Sequence, residues 1–301
     1  MKVLITGGCG FVGVNLLHYL YEKHCTIRIL DNLSTGKKEY IDRLPLAESP
    51  ELIMGDIRNK ENVGEAVEGM DAIVHLAAHT NVIESLENPE DSWDINVTGT
   101  FNLLEACRKN GVEEFVLASS NAVAGEQTPP INESKIPQPL SPYGASKLAG
   151  EALCSAYYHS YGLKTTILRF SNLYGPFADH KTSVIAKFIE LARKEIPFTI
   201  YGDGNQTRDF IHVDDICHAI YLSLTNQTSH GEVFQIARGK ETTINELVEI
   251  LNKIAGKNIR TIHEPERKGE IRRNYSDIGK AREVLGFEPQ VELKEGLMQL
   301  W

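Results

Sequence analysis

Short apolar runs alternate with longer helix-like segments through the first two-thirds of the chain. The runs show little alternation between apolar and polar residues, which is typical of strands buried on both faces of a parallel sheet. The predicted strands are Lys2–Thr6, Thr26–Asp31, Glu51–Gly55, Ala72–Leu76, Glu114–Ser119 and Lys164–Arg169. The predicted crossover helices between them are Val12–Glu22, Lys60–Val67, Trp93–Asn110 and Pro142–Tyr161. This order predicts an α/β domain built on a doubly wound parallel sheet.

Three glycines, Gly7, Gly10 and Gly13, follow the first predicted strand. Glycines permit positive φ and let the backbone approach a pyrophosphate, which then lies at the positive N-terminal end of the next helix. A glycine triplet alone also fits a simple tight turn. The second predicted strand, however, ends in Asp31, near the expected position of the carboxylate that binds adenosine ribose hydroxyls. Because a carboxylate there repels a 2′-phosphate, the sequence predicts a Rossmann-like domain that binds NAD rather than NADP.

The regular alternation of strand-like and helix-like segments ends near Tyr174. Tyr174–Pro176 is turn-like, Ser183–Lys194 is helix-like, and Ile200–Gly204 contains a further glycine turn. We therefore expect residues 1–173 to form the NAD-binding domain and residues 174–301 to form mainly a smaller C-terminal α/β domain that binds the substrate. The strand and helix pattern returns at about residues 208–237, so this segment is predicted to rejoin the first domain.

The composition narrows the range of partners. The 301 residues include 31 basic and 41 acidic side chains, and the net charge of −10 argues against nucleic acid or an anionic membrane. The 5 cysteines form no CxxC pair, so neither a disulfide framework nor a metal site is expected. No secretory leader is recognised, and no apolar stretch reaches the ~18 residues of a membrane span. We expect a cytoplasmic protein.

Ser141 and Pro142 mark the start of a helix, as N-cap and first helical residue. Tyr143 and Lys147 follow, and a spacing of four residues places them on one face of that helix. An ammonium beside a phenol favours the phenolate, so Lys147 is expected to lower the pKa of Tyr143 from its usual ~10 and make it a base.

The same Y-x-x-x-K spacing occurs at Tyr19 and Lys23, on the helix after the glycine loop, where the side chains would point away from a hydride-transfer site. Tyr143 has a further partner that Tyr19 lacks. Ser120 ends the fifth predicted strand, and strand carboxyl ends face the ligand crevice of a doubly wound sheet. The sequence therefore favours a catalytic group of Ser120, Tyr143 and Lys147.

These motifs together resemble the extended short-chain dehydrogenases, and within them the NAD-dependent epimerase/dehydratase family with its UDP-glucose 4-epimerases. The resemblance covers nearly the whole chain, in the family's order. It is carried by the glycine loop, Asp31, Asp56-Ile57, His75-Leu76-Ala77-Ala78, Asn96-Val97-x-Gly99-Thr100, Ser120, Tyr143, Lys147, Leu168–Pro176 and Thr207–Val213.

The resemblance implies two sets of binding residues. In the first set, Asp56 contacts the adenine amino group and Lys147 contacts the nicotinamide ribose. The implied NAD-binding residues are Gly7, Gly10, Phe11, Val12, Gly13, Asp31, Asn32, Asp56, Ile57, Leu76, Ala77, Ala78, Asn96, Tyr143 and Lys147. In the second set, Asn172 contacts the diphosphate that is linked to the sugar. Arg208 and Arg267 form ion pairs with the same diphosphate from opposite sides of the cleft. The implied substrate-binding residues are Ser120, Asn121, Tyr143, Asn172, Arg208, Arg267 and Glu270.

The resemblance implies an enzyme that inverts C4 of a UDP-hexose through a transient 4-keto sugar, with UDP-glucose and UDP-galactose as first choice. A dehydratase of this family is expected to carry an acidic pair after the catalytic serine, where this chain has Asn121 and Ala122. The same absence of a carboxylate argues against a decarboxylase, and Asp31 argues against an NADPH-dependent reductase. A catalytically silent NAD-binding sensor or scaffold would have little reason to keep Ser120, Tyr143 and Lys147 together.

Three positions leave the identity of the sugar undecided. Ala124 replaces a tyrosine that family members often place near the sugar, which predicts a wider pocket. Asn274 stands where some members carry a tyrosine that excludes bulky 2-substituents, so UDP-N-acetylglucosamine is an alternative. Arg272 or Arg273 would form an ion pair with the 6-carboxylate of UDP-glucuronate, so this sugar nucleotide is a further alternative. Family members often form homodimers through two helices, for which Trp93–Cys107 and Pro142–Tyr161 are the candidates.

Overall fold

The computed structural model describes residues 1–178, 183–266 and 271–301. Its strands are β1 (Lys2–Thr6), β2 (Thr26–Asp31), β3 (Glu51–Met54), β4 (Ala72–His75), β5 (Glu114–Ser120), β6 (Lys164–Phe170), β7 (Asn172–Tyr174), β8 (Phe198–Tyr201), β9 (Thr207–Arg208), β10 (Phe210–His212), β11 (Val233–Ile236), β12 (Thr242–Thr243) and β13 (Thr261–Glu264). Its helices are α1 (Phe11–Glu22), α2 (Lys38–Ile41), α3 (Lys60–Val67), α4 (Val82–Glu87), α5 (Pro89–Trp93), α6 (Gly99–Asn110), α7 (Pro142–Tyr161), α8 (Val184–Arg193), α9 (Val213–Thr225), α10 (Ile244–Ala255) and α11 (Leu293–Gln299).

A seven-stranded sheet forms the centre of the molecule, in the order β11-β6-β5-β4-β1-β2-β3. Every neighbouring pair in this sheet is parallel. Helices α1 and α9 pack together on one face, whereas α3, α6 and α7 pack together on the other. Strand order reverses direction at β1, which is the topological switch point of a doubly wound sheet. The predicted Rossmann-like fold class is confirmed.

The central strands are apolar because both of their faces are covered. Val3, Leu4 and Ile5 of β1 are all fully buried, with Val3 and Ile5 in one side of the core and Leu4 in the other. The predicted strand bounds are met to within one residue along β1 to β6. Local pattern was sufficient here because parallel strands sandwiched between helices need continuous hydrophobic runs.

The chain beyond β6 builds smaller sheets and a third core. Strand β8 pairs in parallel with β13, β9 pairs antiparallel with β12, and β10 pairs in parallel with β7. Helices α8, α10 and α11 bury their apolar faces over these strands. Strand β11 pairs in parallel with β6 at the edge of the large sheet. The division into domains at residues 173 and 174 stays a prediction.

One predicted helix differs from the structure in a way that matters for the site. Trp93–Asn110 was predicted as regular helix, whereas helical structure begins at Pro89 and passes through a π-helical turn, Asp94–Thr98, before α6. Wider π-turns are often found at functional sites. This turn buries the side chain of Asn96, which is 3% exposed.

Within the described ranges of the chain, no helix combines the length and the apolarity needed to cross a membrane.

Candidate active site

The glycine loop between β1 and α1 has no room for a side chain at Gly7 or Gly13. Gly7 has a φ of +71°, and a Cβ on it would lie 2.8 Å from the backbone nitrogen of Ala77. A Cβ on Gly13 would lie 2.3 Å from the carbonyl oxygen of Gly7. Gly10 is the N-cap of α1, so the amides of the first helical turn are directed toward this loop. The loop therefore fits a pyrophosphate placed at a helix N-terminus.

Asp31 lies at the carboxyl end of β2, beside the glycine loop. Its two carboxylate oxygens accept hydrogen bonds from the backbone N–H groups of Cys9, at 2.9 Å, and Leu33, at 2.7 Å. Each oxygen retains a second lone pair that can accept a ribose hydroxyl. The loop after β2 lies directly on Cys9, because a Cβ on Gly36 would be 2.6 Å from the Cys9 carbonyl carbon. This geometry fits the adenosine end of NAD.

Asp56 follows β3 and is held ionised by its neighbours. Arg58 donates to both carboxylate oxygens, at 3.0 and 2.8 Å, and Asn32 donates from its side-chain amide at 3.0 Å. The hydrogen bonds from Arg58 hold the pKa of Asp56 well below its usual range. Asp56 thus remains an acceptor at neutral pH, as a partner of the adenine amino group must. Ile57 is buried against Gly99, where a Cβ would lie 2.4 Å from the Ile57 Cδ1 atom.

A buried chain of hydrogen bonds fixes the segment after β4, which includes Leu76, Ala77 and Ala78. The N–H of Ala77 donates to Thr6 Oγ1 at 3.3 Å, and Thr6 Oγ1 lies 2.7 Å from His75 Nδ1. On the other side, His75 Nε2 lies 2.9 Å from Thr100 Oγ1, which donates to a backbone carbonyl at 2.6 Å. Burial lowers the pKa of His75 to about 3. The neutral ring is therefore assigned with Nε2–H donating to Thr100 and Nδ1 accepting from Thr6.

Asn96 uses its side chain to join two parts of the site. Its amide oxygen accepts the backbone N–H of His79 at 2.8 Å, and its amide nitrogen donates to the carbonyl of His79 at 3.0 Å. The same nitrogen donates to Ser146 Oγ at 2.9 Å, and Ser146 in turn donates to the carbonyl of Tyr143. Asn96 thus links the loop after β4 to α7, and both donors of its amide are engaged by the protein.

Local capping places Tyr143 and Lys147 on α7. The hydroxyl of Ser141 accepts the N–H of Gly144 at 3.1 Å, and Pro142 takes the first helical position, as predicted. Tyr143 and Lys147 lie one turn apart, and only 8% and 7% of their surfaces are exposed. The Lys147 ammonium donates to the carbonyl of Ala118 on β5 at 2.9 Å.

Ser120, at the end of β5, accepts the N–H of Ala122 at 3.2 Å and lies near enough to the phenol of Tyr143 to affect its pKa. The pKa of Tyr143 is raised in this structure, not lowered as was expected from Lys147. Burial is the main cause, and the nearby Ser120 offsets only part of the increase. Burial also lowers the pKa of Lys147 to about 8, against the attraction of Glu151. Both shifts have one cause, because a low-dielectric environment disfavours the charged form of each group.

A cavity of about 1100 Å³ opens beyond β7. Arg208 lines it, and one guanidinium nitrogen donates to the carbonyls of Thr207 and Ile271 at 2.7 and 2.9 Å. The wall also includes Lys187 and Tyr201, which were not predicted as site residues. Neither carries a local motif, since Lys187 lies within an ordinary amphipathic helix and Tyr201 precedes a glycine turn.

The remaining predicted substrate residues differ in surroundings. Asn172 is exposed on β7. Asn121 is 9% exposed, and its amide nitrogen donates to Ser276 Oγ at 3.2 Å. Its amide oxygen has no hydrogen-bond partner among the described residues. The predictions for Arg267 and Glu270 lie outside the described residues.

A group that sequence reasoning missed lies directly beneath Lys147. Glu151 and Arg169 form a buried ion pair, and Ser119 donates a hydrogen bond to the same carboxylate. The signal was available in part, because Glu151 is one helical turn beyond Lys147. Arg169 belongs to a motif quoted above without an assigned role.

Comparison with known proteins agrees with this geometry. Residues 3–237 match the model of the NAD dependent epimerase/dehydratase family, and the chain belongs to that family. A Methanocaldococcus jannaschii protein, provisionally named UDP-glucose 4-epimerase, is 41% identical over 99% of this chain and 96% of its own length. The UDP-glucuronate 4-epimerase of Thermodesulfobacterium geofontis is 35% identical over 98% of this chain and 93% of its own length.

Solved structures give the same result. The UDP-glucose 4-epimerase of Thermotoga maritima with UDP-glucose superposes with a TM-score of 0.93 at 35% identity, covering 99% of this chain and 96% of that one. The UDP-N-acetylglucosamine 4-epimerase of Methanobrevibacter ruminantium has a TM-score of 0.93 at 32% identity, with coverage of 99% and 96%. The predicted family, the cofactor NAD and the enzyme class, a nucleotide-sugar 4-epimerase, are confirmed.

The contacts of Gly13 predict that Gly13→Ala will purify with far less NAD than the wild type. The added methyl group would collide with the Gly7 carbonyl and distort the glycine loop that fits the pyrophosphate of NAD. Gly64→Ala is the matched control, since nothing lies within 4 Å of its added Cβ on α3. NAD released from each purified protein by acid should be quantified per protomer. Equal NAD content in the two variants would contradict the assignment of the loop.

Proposed function

We propose that the protein interconverts the C4 epimers of a UDP-hexose, with UDP-glucose and UDP-galactose as the preferred pair. One observation carries the proposal: Ser120, at the end of β5, lies beside the buried phenol of Tyr143, and the buried Lys147 follows one turn further along α7. This group lies at the carboxyl edge of the sheet, where the glycine loop and Asp31 also lie. An alcohol oriented there would have a base for its proton, and NAD, when bound, supplies the hydride acceptor.

The proposed reaction begins with Tyr143 as phenolate. Its oxygen takes the proton of the sugar 4-hydroxyl while a hydride leaves C4, so the C4–O bond becomes a carbonyl. Ser120 donates a hydrogen bond that orients the sugar oxygen toward Tyr143. The 4-keto sugar then turns about its link to the diphosphate and takes the hydride back on its opposite face. Tyr143 returns the proton, and no net oxidation occurs.

Lys147 has two tasks in this scheme. As an ammonium, it stabilises the phenolate of Tyr143 across one helical turn. It also donates to the Ala118 carbonyl, which holds its side chain against β5 and leaves further N–H donors for the predicted nicotinamide ribose contact. The site functions only while Lys147 remains charged, although burial opposes that charge.

We assign the nucleotide end of the substrate to the cavity lined by Lys187, Tyr201 and Arg208. Two cations there would supply local attraction for a diphosphate in a chain whose net charge is −10. Tyr201 offers a flat apolar surface to a base. Tyr143 does not line this cavity, so the sugar would extend from it toward the catalytic group. Asn172, Arg267 and Glu270 remain predicted contacts.

The side chains near the predicted sugar pocket favour a neutral hexose over UDP-glucuronate. Arg272 is paired with Asp203 at 2.9 Å and Glu266 at 3.0 Å. Arg273 forms a two-pronged pair with Glu241, with both N–O distances at 2.8 Å. A 6-carboxylate would have to displace one of these carboxylates to gain a cationic partner.

UDP-N-acetylglucosamine is the second candidate, and one observation favours it. The amide oxygen of Asn274 is buried without a hydrogen-bond partner among the described residues. Because this atom is buried, a substrate reaches it only if the segment that carries Asn274 moves, and it could then accept the N–H of an N-acetyl group. The wider sugar pocket predicted from Ala124 has no support here. Ala124 is only 2% exposed, so other protein atoms fill the place where family members often carry a tyrosine.

A homodimer formed through the helices of one side is a further proposal. Trp93 is 56% exposed at the end of α5, and Phe101 is 41% exposed two turns later on α6. Tyr161, at the end of α7, is 58% exposed. Large apolar side chains on neighbouring helices are typical of a surface covered by another subunit.

The proposed reaction predicts turnover without added cofactor. Purified protein should be incubated separately with UDP-glucose, UDP-N-acetylglucosamine and UDP-glucuronate while the anomeric protons are followed by NMR. We expect the galacto isomer of UDP-glucose, and a loss of about 100-fold or more in kcat for Tyr143→Phe. Tyr19→Phe, which has the same Y-x-x-x-K spacing, should keep wild-type activity. No turnover of any substrate, even with added NAD, would contradict the proposal and favour a silent NAD-binding protein.

The proposed dimer predicts that Phe101→Glu will yield monomers, because a charge would be buried at the subunit contact. Ile136→Glu is the control, since Ile136 is 77% exposed on the loop between β5 and α7 and belongs to none of these helices. Light scattering coupled to gel filtration should give a dimer mass for the wild type and the control. A monomeric wild type would refute the proposal.

A further inference from the structure

A buried ion pair lies one helical turn beyond the catalytic lysine. Glu151 and Arg169 are 5% and 4% exposed. Arg169 donates to both carboxylate oxygens, from Nε at 2.9 Å and from Nη2 at 2.7 Å. Ser119 donates its hydroxyl to the same carboxylate at 2.5 Å. Glu151 is therefore held in one orientation by three hydrogen bonds from two neighbouring strands.

The pairing of β5 with β6 and the spacing along α7 place this ion pair next to Lys147. Ser119 and Arg169 are directly opposite each other in the register of β5 and β6, so both side chains leave the same face of the sheet. Helix α7 covers that face, and Lys147 and Glu151, four residues apart, lie on its inner side. The Lys147 ammonium binds the carbonyl of Ala118, the residue before Ser119.

Three titratable groups lie around Lys147, and a fourth, Arg169, joins them through its ion pair with Glu151. His75 approaches from β4 and is neutral, Tyr143 and Glu151 belong to the same helix, and Arg169 comes from β6. With Tyr143 protonated, this buried group carries two positive charges and one negative charge. It becomes neutral when Tyr143 loses its proton and Lys147 keeps its own. The net charge of the group is thus zero when Tyr143 is a phenolate and Lys147 is an ammonium.

We propose that Glu151 is a positioning residue whose carboxylate keeps on Lys147 the proton that Lys147 and Tyr143 would otherwise share. Arg169 and Ser119 hold that carboxylate in place. The assignment rests on the proposed function only in taking the Tyr143 phenolate as the active base. It differs from a purely structural role, in which the ion pair would stabilise α7 against the sheet and have no effect on proton placement.

The electrostatics of the site support this proposal. Burial brings the pKa of Lys147 down to about 8 even though Glu151 opposes the shift. Without the carboxylate, the pKa of Lys147 would fall further, so less of the ammonium that favours the Tyr143 phenolate would remain at a given pH. Tyr143 would then stay protonated at a pH where the intact site already holds a phenolate, because the two groups titrate as a coupled pair.

The test uses variants that separate charge from packing. Glu151→Gln leaves Arg169 buried without a counter-charge, which alone can destabilise the fold. The double variant Glu151→Gln with Arg169→Met removes both charges and avoids that problem. Glu151→Asp retains the carboxylate but shortens the side chain. Glu105→Gln is the matched control, because Glu105 also accepts a two-pronged arginine, Arg108, and one hydroxyl, from Tyr157.

The readout is the near-ultraviolet absorbance of the Tyr143 phenolate during a pH titration, obtained by subtracting the Tyr143→Phe spectrum in each background. For the double variant we expect the phenolate to appear at higher pH, by on the order of one pH unit, with kcat down roughly ten-fold. Glu151→Asp and Glu105→Gln should titrate like the wild type. A folded double variant with an unshifted phenolate titration would overturn the proposal. Since the titration needs no turnover, it is informative whether or not UDP-hexoses prove to be substrates.

Discussion

The parallel pairing of the seven central strands brings all of their carboxyl ends to one edge of the sheet. Everything assigned to the chemistry begins there: the glycine loop after β1, Asp31 at the end of β2, Asp56 after β3, and Ser120 at the end of β5. A hydride-transfer site needs a cofactor and a base within reach of one carbon atom. The sheet meets that need with residues that are far apart in sequence, because neighbouring strands separate their ends by only about 4.8 Å.

Burial then decides the chemistry of the groups at that edge. It keeps His75 neutral, raises the pKa of Tyr143 and lowers the pKa of Lys147. Left to burial alone, the tyrosine and lysine would both be neutral, and the site would lack its base. The ion pair of Glu151 with Arg169 opposes this tendency through charges placed beneath the lysine. In our proposal, the phenolate of Tyr143 therefore depends on this ion pair as well as on the spacing of Tyr143 and Lys147.

What the sequence could predict follows from the range of each interaction. The bounds of β1, the turn at Gly7 and the start of α7 at Ser141 depend on neighbours within a few residues, and they were predicted. The pairing of Glu151 with Arg169 depends on the packing of α7 against β6, which no local pattern encodes. The direction of the Tyr143 pKa shift depends on how completely the helix is covered. The π-helical turn holds Asn96 where it bonds both the loop after β4 and Ser146 on α7, and these partners are distant in sequence.

The central claim is that hydride leaves C4 and returns to the same carbon without entering the solvent. The most direct measurement uses a UDP-hexose carrying deuterium at C4, incubated with the enzyme in ordinary water, with the isotope content of the epimer read by NMR and mass spectrometry. The account predicts that C4 of the product retains its deuterium, because the hydride is held within the closed site between the two half-reactions. Loss of deuterium to water during epimerisation would contradict it and point to proton abstraction from carbon.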